Sequence, residues 1–211
     1  MKNKFKGDIN MKLLYATNNN SKVFNMKERL KGLPIEIITP KDISEQLSVV
    51  EDGKTPVENA IKKASAYYNK FKISTIAGDS GLYISNLPEN LQPGLFVRRV
   101  NGKYLNDEEM IDYYSNLVKM HGGQCLAYYI TGLALVTDNG TYTVEIKEDE
   151  FIITSIRDKN GKHRGNPLDE ISINPSSGKY FTDESDNNEQ KQNNSFDKAC
   201  IKFITECLKQ E

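Results

Sequence analysis

The strongest constraint on how this chain folds is the alternation of short apolar runs with helical patterns. Residues 12–17 form a short apolar run that ends in the polar turn 18–21. The residues that follow place Val23, Met26 and Leu30 at helical spacing. The order strand, polar turn, helix predicts an α/β fold.

The best-marked element is a helix from Pro56 to about Phe71. Thr55 can cap this helix, Pro56 suits its first position, and Glu58 completes a capping box. The other predicted elements are strands over 35–39, 74–84, 125–137 and 141–154, and helices from Asn106 to about His121 and from Phe196 to Leu208.

Two glycine-containing segments add detail to the predicted strands. Gly78 and Gly81 flank Asp79 and Ser80, and we expect them to interrupt strand 74–84 with a backbone bend. The dipeptide at 139–140 is Asn-Gly, the strongest short signal for a hairpin. It predicts that strands 125–137 and 141–154 pair in antiparallel fashion.

Length and composition indicate a soluble, cytoplasmic protein with one domain. We predict a flexible extension over residues 1–10 and a single domain over 11–211, with a mobile polar segment at about 182–195. No stretch approaches the ~20 apolar residues of a membrane span. Three cysteines without a CxxC pair suggest a reducing compartment. The net charge of -1 gives no support for binding a nucleic acid polymer.

The first candidate site lies where the first predicted strand ends. Residues 17–22, Thr-Asn-Asn-Asn-Ser-Lys, offer hydroxyl, amide, backbone N–H and ammonium donors where a helix begins. The positive end of the helix dipole favours an anion there. The alternative is a turn rich in asparagine that only caps the helix.

A second and a third candidate cluster contain carboxylates. Glu51 lies in a loop with glycine and has no capping role, so it is free to bind a hard cation, whereas Glu58 has the capping box as its role. Lys63 follows within the helix, where a solvated surface position is the alternative. Asp79, in the expected bend, needs a cation or several donors. Phosphate donors with two carboxylates for Mg²⁺ suit phosphoryl chemistry.

Four motifs together resemble the inosine triphosphate pyrophosphatase family, also called the Ham1 family. They are ATNNNSK at 16–22, EDGKTPVENAIKKA at 51–64, GDSGL at 78–82 and PGLFVRR at 93–99. The resemblance implies an elongated, two-lobed α/β fold with a central mixed β-sheet flanked by helices, and a homodimer. It also implies hydrolysis of nucleoside triphosphates, typically of deaminated purines, to monophosphate and pyrophosphate with Mg²⁺, for which Mn²⁺ could substitute.

The resemblance also implies roles for residues of the triphosphate end. The residues that would hold phosphates are Thr17, Asn19 and Lys22, with Arg99 in a supporting role. Glu51 and Asp79 would bind the metal, and Asp79 would also orient the attacking water. Lys63 would contact the reacting phosphates.

The sequence departs from the family at one acid and at the base end. Gly78 stands where relatives usually have the first acid of a pair. Of the family's GFGYDP motif only Gly165 and Asp169 fit, and Ser195 begins the segment that replaces SHR, with Lys191 before it. Asp169, Lys191 and Ser195 are therefore the candidates for contacting the base. Phe196 is expected to pack in a core rather than stack on a base.

These departures keep two alternatives open. One is a catalytically weak relative that binds a nucleotide as a sensor. The other is a hydrolase that uses the same scaffold on a different nucleotide, such as a pyrimidine.

Overall fold

A computed structural model describes residues 11–163, 165–184 and 194–209 of the chain. The α-helices of this part are α1 (Asn20–Arg29), α2 (Pro56–Phe71), α3 (Asp107–Met120), α4 (Phe181–Glu184) and α5 (Ser195–Leu208). Its strands are β1 (Met11–Tyr15), β2 (Ile35–Ile38), β3 (Thr75–Ile84), β4 (Arg99–Val100), β5 (Lys103–Tyr104), β6 (Gln124–Thr137), β7 (Gly140–Lys147), β8 (Phe151–Thr154) and β9 (Ser172–Ile173).

The main sheet is mixed, as the family resemblance predicts. Its strand order is β2-β1-β3-β6-β8-β9, and β7 pairs with β6. β1 is parallel to both β2 and β3, with Leu13 opposite Ile37 and Tyr15 opposite Ile76. β6 and β8 are antiparallel, with Ala127 opposite Phe151.

Helix α2 has the predicted bounds. The Thr55 side chain accepts the Glu58 backbone N–H at 3.2 Å, and Pro56 occupies the first turn. The predicted capping box is incomplete, because the Glu58 carboxylate accepts the N–H of Lys54 at 2.7 Å instead of that of Thr55. The helix ends at Phe71, and Lys72, its C-cap, has the positive φ typical of that position.

The predicted interruption of β3 at 78–81 is wrong. The strand is continuous from Thr75 to Ile84. The two glycines instead allow close packing: a Cβ on Gly78 would lie 2.9 Å from Leu133 Cδ2, and one on Gly81 would lie 3.2 Å from the backbone of Gly94. Asp79 therefore projects from a regular strand.

The segment 141–154, predicted as one strand, is divided into two. β7 follows the Asn139-Gly140 turn and pairs with β6, as predicted. β8 pairs separately with the first residues of β6, from Gln124 to Ala127. Residues 148–150 separate the two strands because each pairs with a different part of the longer β6.

The described residues fall into two compact units, each with its own core. The first comprises the described residues up to Asp79, Gly132–Val144 and the described residues from Ala199 onward. Its core cluster is Leu14, Ala16, Ala60, Ala64, Tyr67, Ala77, Ala134 and Val136. The small side chains of Ala60 and Ala64 let α2 pack closely on Ala16, which follows β1, and on Ala77 of β3.

The second unit comprises Ser80–Thr131 and the described residues from Glu145 to Lys198. Its core gathers side chains of α3, β8 and the short 3-10 helix Pro167–Ile171, including the fully buried Tyr114 and Ile171.

The polar segment predicted at 182–195 lies mostly outside the described residues, as does the extension 1–10. Its first residue does not face solvent. Thr182 is buried, and its hydroxyl donates to Asp158 Oδ2 at 2.5 Å. Among the described residues, no helix is long and apolar enough to cross a membrane.

Candidate functional site

The first unit places the carboxyl end of β1, one edge of its parallel strands, beside the first residues of β3. The N–H of Ala16 donates to the carbonyl of Ile76 at 2.9 Å, in the parallel ladder between these strands. Thr17 therefore leaves β1 at the level where β3 continues into Gly78 and Asp79. This edge is where parallel sheets place ligand-binding loops.

Asn19 organises the turn between β1 and α1. Its side-chain oxygen accepts the backbone N–H groups of Ser21 at 2.9 Å and Lys22 at 3.1 Å, and its own N–H donates to the Thr17 hydroxyl at 3.2 Å. Asn19 is thus the N-cap of α1, as the capping alternative predicts. Capping engages the carbonyl oxygen alone, so the side-chain amide is still a donor for an anion, and both roles are compatible.

Glu51 and Lys63 form an ion pair in the same unit. Lys63 Nζ lies 2.9 Å from Glu51 Oε2, and the Lys63 side chain is only 16% exposed against 34% for Glu51. The pair joins the loop before α2 to the second turn of that helix. The ion pair thus places one carboxylate and one ammonium group next to each other at the start of α2.

A buried amide, Asn59, connects the same loop to Asp79. Asn59 is 3% exposed. Its Nδ2 donates to Asp79 Oδ2 at 2.8 Å, and its Oδ1 accepts the backbone N–H of Gly53 at 2.7 Å. A Cβ on Gly53 would lie 2.7 Å from that Oδ1, so glycine is required for the loop to approach this closely.

A further ion pair attaches the loop to α2 at the surface. Lys62 forms a salt bridge with Asp52, and its hydrogen bond lowers the pKa of the Asp52 carboxyl. Both partners are more exposed than the neighbouring pair of Lys63 and Glu51. The two adjacent lysines therefore have different surroundings.

The carboxylates of this cluster suit a hard cation that is bound mainly through substrate and water. Within the described part of the chain, no group of three or more His, Cys, Asp or Glu residues could hold a metal ion. Mg²⁺ in phosphate sites commonly uses one or two carboxylates, several waters and phosphate oxygens. Glu51 and Asp79 are the two carboxylates that could hold such a cation, and Asp79 Oδ1 has no protein hydrogen-bond partner among the described residues.

The remaining predicted site residues belong to the second unit or lie outside the described residues. Arg99 is exposed on β4, with its guanidinium carbon 5.4 Å from the centre of the Phe96 ring. Ser195 is exposed at the start of α5 and donates to Asp149 Oδ1 at 2.7 Å. Lys191 lies outside the described residues.

Asp169 lies in the 3-10 helix of the second unit. Its Oδ1 accepts the side-chain amide of Asn166 at 2.7 Å. Burial, and then the nearby Asp169 and Glu148 carboxylates, raise the pKa of the Tyr129 phenol. Phe196 is 9% exposed, which confirms its packing role.

Asn59 is the site residue that the sequence reading missed. Asparagine is unfavourable inside a helix, and here it lies in the fourth position of α2, one residue after Glu58. An amide on the buried face of an otherwise alanine-rich helix was the signal that could have identified it.

Comparison with known proteins relates the chain as a whole to one family. The model of the Ham1 family matches residues 13–205. A dITP/XTP pyrophosphatase of Leptospira interrogans is 37% identical over 134 residues, which are 63% of this chain and 66% of that protein. The dITP/XTP pyrophosphatase of Thermoanaerobacter pseudethanolicus is 33% identical over 155 residues, with 72% and 76% of the two chains covered.

Solved structures show the same fold. A Ham1 protein from Coxiella burnetii matches with a TM-score of 0.73 and 27% identity, over 95% of this chain and 100% of that one. The Staphylococcus aureus Ham1 protein matches with a TM-score of 0.69 and 24% identity, over 94% and 98% of the two chains. The mixed α/β architecture predicted from the sequence is therefore confirmed.

Proposed function

This chain belongs to the Ham1 family, and from that premise we propose that it hydrolyses nucleoside triphosphates to nucleoside monophosphate and pyrophosphate. One observation carries the proposal. The Asn59 amide holds Asp79 and the loop that carries Glu51 together, in the unit where the Thr17–Lys22 turn begins at the same sheet edge. The names of the relatives, dITP/XTP pyrophosphatases, agree with this chemistry.

The protein side of the reaction follows from the donors and acceptors at this edge. Thr17, the Asn19 amide and Lys22 would bind the phosphate groups of the leaving pyrophosphate. Lys63 would neutralise the charge that develops on the reacting phosphates, the main requirement of phosphoryl transfer.

Asp79 would orient the attacking water. The water oxygen bonds to the α-phosphorus, the bond from that phosphorus to the bridging oxygen breaks, and pyrophosphate leaves. The Asp79 carboxylate accepts the proton of the water through Oδ1, because Asn59 engages Oδ2. Asp79 is partly exposed, so water reaches it.

We propose Mg²⁺ as the cofactor, with Glu51 and Asp79 as its protein ligands and Mn²⁺ as a substitute. When bound, the cation would neutralise phosphate charge and lower the pKa of a coordinated water. Two carboxylates in one cluster suit a cation that keeps water and phosphate oxygens as its other ligands.

The proposed substrates are deaminated purine triphosphates, the class in the relatives' names. The choice of base rests on similarity to these relatives alone. The candidate base contacts Asp169 and Ser195 bond to Asn166 and Asp149, and the family's SHR motif is absent. Acceptance of a different base is therefore a distinct outcome of a substrate panel.

A second candidate function is nucleotide binding with little turnover. The observation that favours it is Gly78, which stands where relatives usually have an acid. A Cβ there would lie 2.9 Å from Leu133 Cδ2, so a larger side chain would require this leucine to move. The site thus has one carboxylate fewer.

One experiment separates these functions. Purified protein is assayed for pyrophosphate release from inosine, xanthosine, guanosine, adenosine and pyrimidine triphosphates with Mg²⁺ or Mn²⁺, beside Asp79→Asn. The proposal expects turnover that Asp79→Asn lowers by about a hundredfold or more. Binding of a nucleotide without release of pyrophosphate would favour the second candidate.

Cytoplasmic location and assembly as a homodimer stay predictions from the sequence and the family resemblance. Sedimentation of the purified protein tests the second of these.

A further inference from the structure

We propose that Asn59 is a positioning residue that sets the distance between the two metal-binding carboxylates, Glu51 and Asp79. The proposal rests on the proposed function for its purpose. Its structural basis is that one side-chain amide uses both of its ends: Nδ2 on Asp79 and Oδ1 on the Gly53 backbone. Gly53 lies two residues after Glu51, so the amide connects the strand that carries one ligand to the loop that carries the other.

The geometry leaves this amide little freedom. Asn59 is 3% exposed, on a helix that is packed through Ala60 and Ala64 against the sheet. Its two hydrogen bonds have lengths of 2.8 Å and 2.7 Å. A buried amide that lacks a partner is costly. Loss of the contact with Asp79 or with Gly53 therefore disfavours the buried position of the Asn59 side chain, on which the other contact depends.

Backbone packing restricts the contact between Gly53 and Asn59 from the loop side as well. A Cβ on Gly53 would lie 2.7 Å from Asn59 Oδ1 and 2.8 Å from Glu58 Cβ. Gly53 therefore reaches the amide only as glycine. Two positions, one in the loop and one in the helix, can thus be changed independently to test a single contact.

The choice of residue type at position 59 follows from the charges around it. A carboxylate at that position would accept the Gly53 N–H but repel Asp79, and an ammonium would compete with a cation for Asp79. Asparagine is neutral, donates to one partner and accepts from the other. It orders Asp79 without adding or removing charge at the site.

The test compares Asn59→Leu with Asn69→Leu, the same substitution at an exposed position of the same helix. Mn²⁺ binding without nucleotide is measured by electron paramagnetic resonance. Exchange of the Gly53 amide hydrogen is followed by NMR. We expect Asn59→Leu to weaken Mn²⁺ binding about tenfold or more and to speed exchange at Gly53, whereas Asn69→Leu changes neither.

The kinetic readout separates positioning from a loss of folded protein. We expect Asn59→Leu to raise the Mg²⁺ concentration for half-maximal pyrophosphate release by a similar factor, a constant that does not depend on the fraction of active enzyme. KM for the nucleotide at saturating Mg²⁺ should stay within about threefold, because ground-state phosphate binding is unchanged.

A second variant covers the case in which Asn59→Leu does not fold. Gly53→Ala keeps Asn59 but displaces the loop, and we expect it to weaken Mn²⁺ binding in the same direction, with the exposed Lys54→Ala as its control. Unchanged Mn²⁺ affinity in the folded variants would overturn the proposal. If the unmutated protein releases no pyrophosphate while Asn59 still controls Mn²⁺ affinity, the proposed function fails and the positioning role stands.

Discussion

Lys63 Nζ lies 2.9 Å from Glu51 Oε2, while the preceding Lys62 pairs with Asp52 at the surface. Two adjacent lysines of α2 thus offer a matched comparison. We expect Lys63→Met to lower kcat/KM for pyrophosphate release by about a hundredfold, because it removes a cation from the reacting phosphates. Lys62→Met should stay within about twofold, as exposed ion pairs contribute little. Equal losses in a steady-state assay would refute the assignment of Lys63.

The carboxylates of the same loop permit a second comparison. Glu51→Gln removes a proposed ligand, and we expect it to raise the Mg²⁺ concentration for half-maximal activity by at least about tenfold, since even outer-shell changes cost about 10–100-fold. Asp52→Asn is the control, because that side chain is 71% exposed and pairs with Lys62. The measurement is a Mg²⁺ titration at saturating nucleotide. If Asp52→Asn raised this Mg²⁺ concentration and Glu51→Gln did not, Asp52 rather than Glu51 would be the metal ligand.

Local signals were sufficient for α2. Thr55 and Pro56 act within one turn of the helix they begin, so the chain near them determines its start. The Asn59 contact with Asp79 joins residues 20 apart in sequence. It depends on how α2 packs on β3, which no pattern within either element specifies.

The glycines of β3 show a second reason why the sequence alone did not predict the local structure. Gly78 and Gly81 have no side chain, and that absence permits either a bend or a close approach by a neighbour. The sequence pattern predicted the bend. In the structure the strand is regular, and Gly78 packs closely against Leu133 while Gly81 packs closely against Gly94. The neighbours that decide between these uses are distant in sequence, so the candidate residue Asp79 was identified while its backbone geometry was not.

Gly132 of β6 is expected to be the more sensitive of two glycines to substitution. A Cβ there would lie 2.3 Å from the backbone nitrogen of Val57, at the start of α2. The backbone at the start of α2 cannot move away without disturbing the helix, so Gly132→Ala should lower the free energy of unfolding by about 3 kcal/mol. Gly78→Ala meets only the end of the Leu133 side chain at 2.9 Å and should cost about 1 kcal/mol. Urea unfolding measures both, and a larger loss for Gly78→Ala would contradict the packing argument.

Thr182 gives a prediction with a defined pH dependence. The pKa of the Asp158 carboxyl is lowered from its ordinary value of 3.8. The main cause is the hydrogen bond from the Thr182 hydroxyl, followed by the hydrogen bond from the Asn160 backbone N–H. A carboxyl whose pKa is lower in the folded state stabilises the protein at any pH above its unfolded-state pKa. This stabilisation is lost as the pH falls through the folded-state pKa. Thr182→Val should therefore cost about 1 kcal/mol near neutral pH, and the cost should narrow as the pH falls below 3.8.

Urea unfolding of both proteins from about pH 7 to about pH 3 measures that difference. Thr143→Val, at an exposed position of β7, controls for the change of side-chain type. A cost for Thr182→Val that is constant over this range would mean that the contribution of the hydroxyl does not depend on the charge of Asp158. A cost that narrows in step with protonation of Asp158 would show that the charge on this carboxylate, held by Thr182, stabilises the second unit.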